Sequence, residues 1–313
     1  MRAIEVSRFG GPEVLKQVEL PTPVLGRGEV LIAVRLIEVL FLDTQLRSGW
    51  GAGFFPMRPP WVPGTGVAGE IVAVGGGVDA RRVGERVVAR TGDEGAYAEE
   101  VAVLAVEATR VPDGLDLAVA IAALHDGVLA LDRLERAELG AGSRVLVTAA
   151  AGSLGHWFVP LAKAAGARVS GAAGGERKVA AVRRLGADVA VDYRLPDWGS
   201  RAGGPFDVVF DGAGGDIGTT AFGLIADGGM FAGHGAASGT FGSARHSRGI
   251  RTVGVDTQLD EATWRRLTAE GLELLARGAI QPQIGQQVPL ERAGDAHAAM
   301  AARSVIGKTL LTV

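Results

Sequence analysis

The segment Val145-Leu146-Val147-Thr148-Ala149-Ala150-Ala151-Gly152-Ser153-Leu154-Gly155 constrains this chain more than any other. A short apolar run enters a turn of small residues, and an amphipathic helical stretch follows it. Buried strand, glycine turn and helix together form the opening unit of a doubly wound α/β sheet. In the GxGxxG reading, Ala150 stands at the first glycine position. Gly152 lets backbone approach a pyrophosphate, and Gly155 lets helix and strand pack closely. The N–H groups and dipole at the helix start favour negative charge. Ala150, Gly152, Ser153, Leu154 and Gly155 are therefore the candidate dinucleotide-phosphate site, against the plainer reading of a tight turn.

The flanking texture fits. Beyond about residue 115, helical patterns at 116–137, 154–165, 176–185 and 219–225 alternate with strands at 144–148, 168–171, 188–191, 206–211 and 229–233. Such alternation predicts a parallel sheet covered on both faces. Residues 1–112 instead carry short β-branched runs separated by Gly and Pro, the pattern of a β-rich barrel or sandwich. The tail from about 258 holds a helix, a strand near 282–288, a short helix at 291–303 and a last strand. It is too small to bury a core of its own and so must complete another domain.

The end of the second strand of a dinucleotide fold reads the ribose: an acid there holds the hydroxyls of NAD and repels a 2′-phosphate. Here Ala172-Ala173-Gly174-Gly175 is followed by Glu176-Arg177-Lys178, which leaves room and brings two cations. NADPH is the expected cofactor; the alternative is that Arg177 and Lys178 form a solvated first helical turn. Other classes are disfavoured. A net charge of −3 provides no field for nucleic acid or anionic lipid, and no apolar run reaches bilayer length, so a cytoplasmic protein is expected. With no cysteine and five scattered histidines, no metal site is expected.

An ordered set of residues resembles the zinc-independent quinone oxidoreductases of the medium-chain dehydrogenase/reductase class. Besides Ala149 to Gly155, it includes Phe9-Gly10-Gly11-Pro12-Glu13, Asp43 with Arg47-Ser48-Gly49, Pro63-Gly64, Val83-Gly84-Glu85-Arg86-Val87 and Gly95-Ala96-Tyr97-Ala98-Glu99. Leu185-Gly186-Ala187-Asp188, Asp192-Tyr193, Phe206 to Asp211, Ala296-His297 and Gly307-Lys308 continue it. The resemblance implies an α/β chain with a GroES-like β-rich catalytic domain, residues 1–115 completed by 258–313, and a Rossmann domain, 116–257, with nicotinamide and substrate in the cleft between them. It implies Gly174, Lys178 and Tyr193 around the 2′-phosphate, Lys308 among the cofactor-binding residues, and a homodimer built on a sheet edge near 250–255.

The pattern also breaks. Thr65-Gly66 stands where zinc-containing relatives have a His-Glu pair, Leu40 replaces an Asn near the nicotinamide, Gln45 replaces a Tyr, and Gly66 replaces an acid. Leu124-His125-Asp126-Gly127 introduces ionisable groups before the first Rossmann strand. His125 and Asp126 are candidates for proton delivery, against a helix-capping Asp and a half-exposed His; adjacent residues on a helix need not face one way. Asp43 is a third candidate, although its i,i+4 spacing to Arg47 is ordinarily an intrahelical ion pair. His156, His234, His246 and His297 are read as packing or background, and Tyr97 as cleft lining or core. The expected function is NADPH-dependent reduction of a quinone or enone without zinc, on a small-molecule substrate that includes polyketide-like intermediates. The alternatives are a nonreductive cyclase, isomerase or lyase on the same fold, and a non-enzymatic NADPH-binding role.

Overall fold

Short strands with apolar residues on alternate positions open the chain: β1 (Arg2–Val6), β2 (Leu15–Glu19), β3 (Glu29–Val39), β4 (Gly66–Val74), β5 (Arg86–Arg90), β6 (Glu100–Leu104) and β7 (Ala108–Arg110). β1 and β2 form a separate antiparallel pair. The other five join β14 (Ile284–Pro289) and β15 (Lys308–Thr312) in one sheet of order β14-β15-β3-β4-β5-β7, with β6 also paired to β3. The long strand β3 is its axis. Val30, Ile32, Val34, Ile37 and Val39 of β3 are buried with Val67, Ile71, Val87, Val101 and Leu311. The computed structural model describes residues 1–51, 55, 57–92, 94–242, 248–254 and 257–313; His246 lies outside them.

The second sheet follows the expected alternation: β8 (Arg144–Thr148), β9 (Arg168–Ala173), β10 (Val189–Asp192), β11 (Phe206–Asp211), β12 (Ile225–Gly233) and β13 (Arg251–Val253). All its pairs are parallel and its order is β10-β9-β8-β11-β12-β13. Numbered from its first strand this is 3-2-1-4-5-6, the Rossmann order, in which direction reverses between β8 and β11 and ligands bind beyond the carboxyl ends at that point. Its core gathers Leu146, Ala172, Trp198, Phe206, Val209, Phe222 and Phe231.

Two compact units result. One comprises Met1–His125, Thr268–Ala279 and Ile284–Val313; the other comprises Asp126–Leu267 and Ile280–Gln283. Nine α-helices are described: α1 (Phe41–Ser48), α2 (Leu117–Ala120), α3 (His125–Ala137), α4 (Gly155–Ala164), α5 (Glu176–Arg184), α6 (Trp198–Ala202), α7 (Gly215–Gly223), α8 (Glu261–Ala276) and α9 (Ala293–Ala301). The continuous helical pattern expected at 116–137 is broken. Asp116 caps α2 through Ala118 N and Val119 N, a 3₁₀ turn covers Ile121–Ala123, and α3 starts afresh at His125. Residues 121–124 are at most 1% exposed, so burial of this apolar stretch overrides the helical period.

Candidate functional site

In the Rossmann unit the turn after β8 is tight. Ala150 N–H donates to Ala172 O at 3.1 Å, and Gly152 N–H donates to Ala149 O at 2.9 Å. The sharp bend that a glycine commonly makes falls on Ala149, at φ +49°. Gly155 is dictated by space, since a Cβ there would lie 2.0 Å from Ala150 O. The Ser153 hydroxyl, in this turn, donates to the Asp126 carboxylate at 2.9 Å. Asp126, expected to handle protons or cap a helix, is buried and ties α3 to the glycine turn. His156, one residue into α4, is also buried, with Nδ1 2.9 Å from Gly152 O; burial lowers its pKa.

Across the sheet, Gly174 follows β9 and Tyr193 follows β10. Tyr193 N–H donates to Ala173 O at 3.2 Å, and a Cβ on Gly174 would sit 3.0 Å from the Tyr193 ring. Lys178 lies half-buried in the first turn of α5, its N–H bonded to Gly175 O at 3.0 Å. The structure thus brings Gly174, Lys178 and Tyr193 to one end of neighbouring parallel strands. Arg194, part of the resembling Asp192-Tyr193-Arg194 run but given no role by it, adds a guanidinium that a Cβ on Gly175 would meet at 2.8 Å, and it pairs with Asp192 at 2.7 Å. That bond, outweighing burial, lowers the Asp192 pKa to about 2. At the switch point, the buried Asp211 carboxylate accepts from the Thr148 hydroxyl and from Ala213 and Gly214 N–H, which fixes the loop after β11.

The GroES-like unit contains two polar clusters. In the first, Asp43 on α1 is 3% exposed; its carboxylate accepts from Leu40 N–H at 2.8 Å and from Tyr97 OH at 3.2 Å. The expected pair with Arg47 does not form: Asp43 turns back to cap its own helix, and the Arg47 guanidinium donates to Thr44 O at 3.4 Å. Tyr97 is core, and His297, read as background, joins it with Nε2 3.0 Å from Tyr97 OH. Burial pushes Asp43 up to about 7, against its hydrogen bonds. Burial, with nearby Arg47, pushes His297 down to about 3, so its neutral ring donates Nε2–H to Tyr97.

The second cluster centres on Glu38, which the sequence reading passed over. It lies on β3 one step beyond the Ile37–Val67 register, opposite Gly66, and is fully buried. Its Oε1 meets His125 Nδ1, and its Oε2 accepts from Lys308 Nζ at 2.7 Å. Lys308, expected among the cofactor-binding residues, begins β15, where Leu310 is the register partner of Glu38; two residues back it lies on the same face. His125 Nε2 lies 3.3 Å from Thr65 Oγ1. Burial would raise the Glu38 pKa, but the charges of His125 and Lys308 and their hydrogen bonds prevail and hold it at about 2. The signal in the sequence was an acid ending the apolar run of β3 opposite a glycine. A Cβ at Gly66 would lie 2.0 Å from Glu38 Oε1, so the glycine makes the carboxylate's room.

Comparison with known proteins gives this geometry its relatives. Residues 26–113 match the alcohol dehydrogenase GroES-like domain and residues 185–311 match the zinc-binding dehydrogenase family. A quinone oxidoreductase of Pseudomonas aeruginosa is 31% identical, with 99% of each chain covered. A 2-haloacrylate reductase of a Burkholderia species is 32% identical over 99% of this chain and 98% of its own. Among solved structures, Escherichia coli quinone oxidoreductase complexed with NADPH superposes with a TM-score of 0.90, at 27% identity and full coverage of both chains. No helix among the described residues is long and apolar enough to cross a membrane. Fold order, glycine turn and these full-length likenesses agree: the chain belongs to the quinone oxidoreductase family of the medium-chain dehydrogenases/reductases.

Proposed function

We propose that this protein is an NADPH-dependent oxidoreductase that reduces a quinone or a carbon–carbon double bond conjugated to a carbonyl. The observation that carries the reading is the Rossmann sheet with a side-chain-free turn at Gly152, close packing at Gly155 and, after the next two strands β9 and β10, Gly174, Lys178 and Tyr193 gathered together. These residues suit a pyrophosphate on the start of α4 and a 2′-phosphate near Lys178. Bound NADPH supplies the hydride. The names of the relatives, a quinone oxidoreductase and a 2-haloacrylate reductase, favour electron-poor acceptors.

His125 is the residue we assign to proton delivery, because its ring joins a buried carboxylate on one side and a half-buried hydroxyl on the other. Asp126 and Asp43 then serve as positioning groups for the glycine turn and α1. We take the reaction to run without zinc. Three observations support this: the chain has no cysteine, Thr65 and Gly66 offer no imidazole or carboxylate, and the Glu38 carboxylate is already engaged by the Lys308 ammonium. A homodimer through the outer edge of β13 fits the resemblance; Val255 of the expected 250–255 strand lies outside the described residues.

The test is NADPH oxidation at 340 nm with a panel of quinones and enones, before and after dialysis against a chelator. Turnover that survives the chelator is the expected result. Lys178→Ala should weaken NADPH by about 10- to 100-fold, the loss of one charge-assisted phosphate contact, and leave NADH unchanged. Tight NADPH binding with no oxidation of any acceptor would overturn the reductase reading and leave proton transfer alone, as in an isomerase, at His125.

A further inference from the structure

The side chains around Glu38 form a chain whose direction is fixed by what each can donate. Lys308 has only donors, and ionised Glu38 has only acceptors. Oε2 is occupied by Lys308 Nζ at 2.7 Å, so Oε1 must take the proton on His125 Nδ1. In the neutral ring Nε2 is then left with its lone pair, directed at the Thr65 hydroxyl 3.3 Å away. Accessibility runs the same way: Glu38 and Lys308 side chains are 0% and 2% exposed, His125 is 13% exposed, and Thr65 is half-buried. The chain leads from a dry, charged interior to a hydroxyl at the rim.

We propose that Lys308, Glu38, His125 and Thr65 form a proton relay of fixed polarity, in which Glu38, clamped by Lys308, is the positioning residue that keeps the proton on His125 Nδ1. Thr65 is the group that hands a proton to the carbonyl-conjugated substrate. This rests on the reductase reading for its substrate class. In the charged state His125 Nε2–H donates to Thr65 Oγ, and the Thr65 O–H turns outward. As hydride from NADPH adds to the electron-poor carbon, the π electrons move onto the carbonyl side as an enolate. Thr65 gives its proton to that enolate while it takes the proton from His125 Nε2. The C–H bond, the protonated product and a neutral imidazole account for both electrons and both hydrogens, and solvent returns the proton to the ring.

Replacing Glu38 by Gln makes the relay visible. Lys308 demands an acceptor, so the amide oxygen of Glu38→Gln must face Nζ and its NH₂ must face Nδ1. The ring is then forced into the Nε2–H tautomer, the reverse of the native arrangement. Long-range ¹H–¹⁵N spectra of ¹⁵N-histidine-labelled protein, with His125 assigned by the signal lost in His125→Asn, read this without any turnover. The expected result is a protonated Nδ1 in the wild type and an unprotonated Nδ1 in Glu38→Gln, accompanied by a fall in kcat of about 100-fold or more at unchanged KM for NADPH. Thr65→Val should lower kcat similarly while leaving the wild-type tautomer, and Thr65→Ser should restore turnover.

An unprotonated Nδ1 in the wild type would overturn the relay, as would full activity in Thr65→Val, a variant that keeps the side-chain shape should Glu38→Gln fail to fold. The two proposals fail separately. Absence of NADPH oxidation with every acceptor removes the reductase reading and leaves the tautomer measurement intact. Normal oxidation in both Glu38→Gln and Thr65→Val removes the relay and leaves the reductase.

Discussion

Gly66 and Glu38 show how one residue's side chain depends on another's absence. The family pattern resembled by this chain has an acid at the position of Gly66; here the carboxylate comes from the facing strand and fills the vacated space. Gly66→Ala would place a Cβ 2.0 Å from Glu38 Oε1 and 2.6 Å from Leu124, both buried. Thermal melts should show a loss of about 1–3 kcal/mol, the usual cost of overpacking. Asp43 gives a prediction of a different kind. Its pKa in the fold is pushed up to about 7 from 3.8, so between those values the folded state holds more protons than the unfolded one. Stability from this group is therefore greatest below the unfolded value and declines as pH rises through about 7. Asp43→Asn, which keeps an acceptor for Leu40 N–H, should flatten that decline in denaturant titrations run across pH 4 to 8. An unchanged slope would show that the carboxyl is ionised throughout.

At the scale of elements, Asp126 and Ser153 couple α3 to the glycine turn proposed to receive the cofactor. Ser153→Ala leaves a buried carboxylate short of one donor, a loss of about 1–2 kcal/mol. NADPH titrations should show a Kd raised by up to about tenfold. The elements themselves were largely legible, because β8, the glycine turn and α4 are specified by local sequence: apolar run, small residues, amphipathic stretch. Gly155 could be assigned to close packing for the same reason. What the sequence hid is long-range. Asp43 and Arg47 have the spacing of an ion pair, and nothing local announces that Tyr97 and Leu40 will take the carboxylate instead. His297 looked isolated because its partner, Tyr97, is 200 residues away. Glu38 drew no reading at all, because Lys308, the partner that explains it, is 270 residues away. The helix break before His125 was missed because apolar residues suit a buried 3₁₀ turn as well as a helix.

For the whole molecule, the buried His297, His234 and Glu38 pull in one direction, opposite to that of Asp43. His297 and His234 are held neutral by burial, down to about 3 and about 4, so the folded state resists protons that the unfolded chain accepts near 6.5. Their contribution is complete above the unfolded value and is lost as pH falls through the folded one. Glu38 adds to this lower down, between 4.5 and about 2. Acid titration followed by tryptophan fluorescence should show unfolding that begins below about pH 6, with His297→Gln shifting the onset downward if its ring is the first to charge. NADPH at 100 times its Kd should raise stability by about 2.7 kcal/mol and delay the same transition.

Glu38 and Lys308 lie 270 residues apart, and their contact has a consequence in the order of synthesis. A ribosome delivers β3, β4 and their apolar partners long before it delivers β15. Throughout that interval Glu38 has no ammonium to meet, and an ionised carboxylate cannot be sealed into the sheet at low cost. The GroES-like unit, first to emerge, is thus the last to close, and the Rossmann unit has its whole sequence available to fold while the other waits. Nascent chains arrested before β15 should expose β3 to protease, whereas the released protein protects it: β15 acts as the latch on a sheet begun at β3.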